Sequence, residues 1–84
     1  MLEMKQMIEI KKTTLLIYLI VIQELSKRKS TVKNTDISKI LNVQLASVDE
    51  TVGKLQSEGY LFEDRIALSK KGKRFIVKLK KSLI

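Results

Sequence analysis

The chain has 84 residues, a formal net charge of +8, and no cysteine, histidine or proline. A chain of this length makes one small domain that buries only about 60–65% of its unfolded surface, so its core is marginal. The missing residue types exclude disulfides, thiolate or imidazole metal sites, and Ser-His or Cys-His nucleophilic centres.

A single domain is expected over 1–84, made of an N-terminal extension (1–12), a core (14–68) and a basic C-terminal helix (69–84). In the extension Leu2, Met4, Met7, Ile8 and Ile10 stand between charges, a pattern that fits helix and strand equally. The stretch TTLLIYLIVIQELSK is rich in β-branched residues, which favours strand. It is too long for one ordinary strand, and Gln23, Glu24 and Leu25 continue it without a break, so we expect a helix over about 14–27. Its longest apolar run is the eight residues Leu15 to Ile22. A transmembrane helix needs roughly 20, and no small-residue cleavage site follows, so a soluble cytoplasmic protein is expected. Apolar side chains surround this helix for two turns, and both of its faces need cover. A second copy of the chain would provide it, through residues 14–27 with 1–12 and 70–83, and a homodimer is the expected assembly. The alternative is that residues 1–12 fold back over the outer face.

RKSTVK reads as a loop with room for a two- or three-residue strand. NTDISKILNV then predicts a short helix over 35–41, capped by Asn34 or Thr35, with Ile37, Ile40 and Leu41 on its buried face. Asn42 suits a left-handed turn at its end. After a tight turn over 42–44, a helix over 45–58 is expected, with Leu45, Val48, Val52 and Leu55 as its buried stripe and Gly59 as its stop. Gly53 costs that helix roughly 1 kcal/mol against alanine, so close approach of DNA, of a partner or of the N-terminal segment should justify it. YLFEDRIALS predicts two strands, Tyr60–Glu63 and Arg65–Leu68, around a turn at Glu63-Asp64. Ser69 can cap a last helix over 70–83, whose apolar stripe is Phe75, Ile76, Leu79 and Leu83.

Charge is unevenly spread. Residues 1–65 hold ten basic and nine acidic groups, whereas residues 66–84 hold seven basic groups and no acid: Lys70, Lys71, Lys73, Arg74, Lys78, Lys80 and Lys81. Such a patch attracts nucleic acid or an anionic membrane, or is simply a solvated face. With no tryptophan and one phenylalanine in the apolar stripe, a membrane is not the expected partner. Fourteen lysines and ten isoleucines fit a thermophilic source, as they fit many mesophiles. No carboxylate pair, metal-ligand spacing or glycine-rich phosphate loop is recognisable, so neither an enzyme nor a cofactor is expected.

Three helices, a hairpin and a last helix follow the order of a winged helix-turn-helix, and particular segments carry the likeness further. TDISKILNV resembles the first helix of the turn motif in transcription regulators of the MarR type and the diphtheria-toxin-repressor type. SVDETVGKLQSEGYL is similar to their recognition helix and the strand after it, and IALSKKGKRF to their last wing strand and its Ser-x-x-Gly helix start. The resemblance spans about residues 14–76. It implies an α+β, mostly helical fold: a three-helix core, a short β-hairpin wing and a C-terminal helix. It also implies a dimeric regulator of double-stranded DNA, with helix 45–58 in the major groove and the wing on flanking phosphate or minor groove. Carried over by position, Gln44, Ala46, Ser47, Glu50 and Lys54 would read bases, with Lys33, Lys39 and Arg65 on phosphate. Independently, helical geometry sets Ala46, Ser47, Glu50, Lys54 and Ser57 opposite the buried stripe.

Relatives of the diphtheria-toxin type sense metal, a role for which this chain lacks histidine and cysteine. It departs from the pattern again at Gln44, where Ser or Thr usually caps the reading helix, and at the acids Asp49 and Glu50. A carboxylate can accept a hydrogen bond from cytosine N4, but it opposes phosphate attraction. The alternative function is therefore a winged-helix protein–protein interaction module that does not bind DNA.

Overall fold

Four helices carry the fold of the computed structural model, which describes residues 11–83: α1 (Lys12–Arg28), α2 (Asn34–Leu41), α3 (Leu45–Ser57) and α4 (Lys70–Leu83). Residues 1–10 lie outside the described set, and with them most of the extension expected to share a dimer interface. Among the described residues no helix is long and apolar enough to cross a membrane.

The β-branched run of α1 is helical because its burial repeats every three or four residues. Leu15, Tyr18, Leu19, Ile22 and Leu25 are buried on one face, and that packing overrides strand propensity. Among the described residues the other face is not fully covered: Leu16, Ile20 and Val21 are half-buried and Ile17 is 47% exposed. Buried Val32 pins the loop after α1 to the core; no strand forms there.

Lys33, rather than Asn34 or Thr35, holds the N-cap position of α2. Its backbone N–H donates to Asp36 Oδ2 (2.9 Å), and Lys29 Nζ donates to Asp36 Oδ1 (2.7 Å). One carboxylate thus serves both the start of α2 and the end of α1. The Lys29 hydrogen bond first, and the Lys33 N–H second, hold the Asp36 carboxyl below its ordinary value of 3.8. Asn42 ends α2 in the left-handed region, at φ 56° and ψ 47°. Ser38 closes the turn, its hydroxyl donating to the Val43 carbonyl (2.6 Å).

Two apolar residues expected inside are outside. Ile37, Val48, Val52 and Leu55 form the core between α2 and α3, but Ile40 is 53% exposed and Leu45 42%. Each lies about 60° around its helix from the buried direction, at the open end where the turn leads away from the core. Val43, in the turn, is exposed beside them.

The predicted strands reduce to a single antiparallel bridge, Leu61 to Leu68. Phe62 N–H donates to the Ala67 carbonyl (3.1 Å) and Ser69 N–H to the Tyr60 carbonyl (3.0 Å). These two bonds frame the bridge, and between them residues 63–67 make a bend instead of a ladder. A two-stranded pair with four residues an arm and no third strand has too little to hold it.

The ends of α3 and α4 meet at this bridge. Gly59 takes φ +85°, with its N–H on the Gln56 carbonyl (3.1 Å) and that of Tyr60 on Leu55 (2.9 Å). This is the paired C-terminal closure that a left-handed glycine permits. Ser69 caps α4 as expected: Gly72 N–H donates to its hydroxyl oxygen (3.2 Å), while the hydroxyl donates to the Gly59 carbonyl. Gly72 has a steric reason to be glycine, since a Cβ there would overlap the Tyr60 carbonyl oxygen. From this start α4 packs back on α1. Ile76 is buried, and Phe75 meets Tyr60 edge-to-face with ring centroids 5.4 Å apart. Part of the α4 stripe is therefore used within one chain; the side chain of Leu83 lies outside the described set.

Candidate nucleic-acid interface

Burial of Val48, Val52 and Leu55 turns the opposite side of α3 outward. Gln44, Ala46, Ser47 and Glu50 are all exposed there, with Gly53 and Ser57. It is the face that sequence geometry assigned. Gln44 is the N-cap residue, and its side chain makes no capping bond. A Cβ built on Gly53 meets nothing within 4 Å. Packing among the described residues therefore does not explain this glycine; of the three approaches expected, that of the N-terminal segment lies outside the described residues.

Lys54 is less available than expected. It is half-buried, and its ammonium lies 3.5 Å from the Glu58 carboxylate one turn on. Lys33 and Lys39 are exposed on α2, Lys33 at the N-cap and Lys39 in the last turn on the side away from Ile37. Arg65 belongs to the 63–67 bend, where its guanidinium pairs with Asp64 (3.2 Å) and lies 4.0 Å from the Phe62 ring centroid. The structure thus brings five of the eight sequence-assigned residues onto α3 and its cap. Lys33, Lys39 and Arg65 stand on other elements.

Asp49 has a role the sequence did not reveal. Asn34 Nδ2 donates to its Oδ1 at 2.7 Å, across fifteen positions, joining the first residue of α2 to α3. The carboxylate fixes which way the amide points, and Asn34 Oδ1, turned inward, has no hydrogen-bond partner. Asn34 stood out in the sequence only as a cap. Its tertiary partner leaves no trace in local spacing.

Residues 13–64 match the family described as the iron dependent repressor, N-terminal DNA binding domain. The chain belongs to that family. The matched span holds α1 to α3 and the start of the bend, which are the elements that build and flank the exposed face. Membership carries DNA binding and transcription regulation with it, and bears out the second of the two resemblances; the MarR-type resemblance rests on the quoted residues alone. No curated protein and no solved structure gives a significant match. The iron in the family's description finds no fitting set of donors among the described residues. Histidine and cysteine are absent, and among the described residues no three carboxylates converge. An iron site would require such a convergence of hard or borderline donors.

Proposed function

We propose that this domain is a sequence-specific double-stranded-DNA-binding regulator that works as a homodimer, with α3 in the major groove. The observation that carries the reading is the uncovered face of α3 within a family of DNA-binding domains. A helix fits the major groove, and each residue type on this face has a base edge to meet. Gln44 suits adenine N6 and N7, Glu50 suits cytosine N4, and exposed Val43 and Leu45 suit thymine methyl groups. Lys33 and Lys39 reach phosphate from α2. The 62–67 segment takes the wing's place, with Arg65 at its tip. The dimer uses the open face of α1 around Ile17 and Ile20, and the domain does no catalysis.

Fluorescence anisotropy with a random 30-base-pair duplex, titrated at several salt concentrations beside a sizing run, tests this. The expected result is micromolar or tighter binding by a dimer, weakening steeply with salt. Absence of binding at low salt would make Glu50 an anchor for a basic protein partner and favour the interaction-module reading.

A further inference from the structure

Of the elements expected to meet DNA, α2 offers two exposed lysines, Lys33 and Lys39, while α3 and the bend carry little free positive charge. α3 holds Asp49 and Glu50 against Lys54 alone, a net of −1, and Lys54 is paired. The bend holds Glu63 and Asp64 against Arg65, again −1, and Arg65 is paired too. Phosphate attraction supplies essentially all nonspecific affinity for DNA, and two lysines on α2 leave most of it to come from elsewhere on the chain.

α4 holds it. Its 14 residues include seven cations and no acid. Every ion pair found among the described residues uses a cation from another element: Lys27, Lys29, Lys54 or Arg65. On α4 itself, Lys71 is committed, donating to the Glu58 carbonyl (2.6 Å) and lying over the Tyr60 ring. Lys73, Arg74, Lys78 and Lys81 instead gather around Val77, which is 53% exposed, on the side turned away from the core. A face kept only for solubility needs charge of either sign, and acids serve that purpose better than lysines. Here acids are absent from an entire helix.

We infer that the outer face of α4 is a nonspecific DNA-backbone clamp. Lys73, Arg74, Lys78 and Lys81 bind duplex phosphate and supply the salt-dependent affinity, while α3 supplies discrimination. The inference rests on the DNA-binding reading above. Position supports it: α4 starts at the end of α3, tied there through Ser69 and Lys71, and runs for about 21 Å. The clamp is thus anchored at the C-terminal end of the reading helix, from which α4 runs back along α1.

The test compares three proteins on the same random duplex across salt: the full chain, a K73Q/R74Q/K78Q/K81Q variant, and a control K11Q/K12Q/K27Q/R28Q variant that loses equal charge from α1 and its N-cap. Each neutralised phosphate contributes about 0.9 to the log–log salt slope, so the α4 variant should lose about three to four units. Its low-salt affinity should fall at least a hundredfold, whereas the control slope should change by less than one. Unchanged circular dichroism and Tm would show that both variants fold. An α4 variant that keeps its slope would overturn the clamp and leave the DNA reading intact, as would equal losses in both variants, which would mean bulk charge. Loss of binding to phosphatidylserine vesicles with DNA binding retained would reassign the face to membrane. No DNA binding by the unaltered chain would instead sink the DNA reading itself, and the clamp with it.

Discussion

α3 and α4 adjoin and are nearly equal in length, at 13 and 14 residues, yet their polar groups are held in opposite ways. On α3 the charges near the open face are largely committed: Asp49 to Asn34, Lys54 to Glu58. Ser57 likewise turns its hydroxyl back on the Lys54 carbonyl (2.9 Å). On α4 the cations extend from the helix with no carboxylate among the described residues to meet them. A committed charge fixes geometry and contributes little field at a distance, whereas an uncommitted one does the reverse. One helix is built to be placed accurately, the other to attract.

The sharpest way to break that contrast is at the joint. Gly72→Ala pushes a methyl into a backbone carbonyl that cannot rotate away, and should cost about 2–3 kcal/mol. For a domain of this size that lowers Tm by roughly 10–20 °C in a thermal melt. The placement of α3 is tested next at Asp49. Asp49→Ala removes the tie to Asn34 and should cost about 1 kcal/mol in urea unfolding, discounted for its exposure. Asp49→Asn keeps an acceptor for Asn34 while deleting the charge, so it should leave stability unchanged and tighten DNA binding. If both variants tightened binding equally, Asp49 would be a repelling charge and nothing more. A smaller effect of opposite sign is expected at the other helical glycine. Gly53→Ala should stabilise the fold by about 0.8 kcal/mol, because its Cβ enters open space. Weaker DNA binding by this stabilised variant would show that the duplex backbone or a base approaches α3 there.

The mildest test concerns acid. The Asp36 carboxyl titrates below its ordinary value of 3.8 when folded, so its stabilising contribution is fully present above that value. It is lost as pH falls through the lower, folded value. Asp36→Asn should therefore flatten the stability curve below about pH 4 and leave its shape at neutral pH alone.

How much of this could be read beforehand varies with the range of the interactions involved. The four helices, the turn at Asn42, the stop at Gly59 and the cap at Ser69 were legible because their causes lie within four residues. The exposed face of α3 was legible for the same reason, as the complement of Val48, Val52 and Leu55. Ile40 and Leu45 misled because periodicity gives the direction of a side chain, while cover at the α2–α3 corner depends on which elements reach it. The two strands misled because propensity gives an arm its preference, and pairing needs a third strand to support it. The partners of Asp49 and Lys71, and the Lys29 bond of Asp36, were invisible, being set by how helices dock. Gly72 was quoted only as part of a pattern; the carbonyl that demands it belongs to another segment.

The closure between Gly59 and Ser69 makes the end of α3 and the start of α4 behave as a crank. Backbone bonds to Leu55 and Gln56, the Ser69 hydroxyl on Gly59, and Lys71 on Glu58 all cross the same few ångströms. The two helix ends are consequently joined without a slack connector.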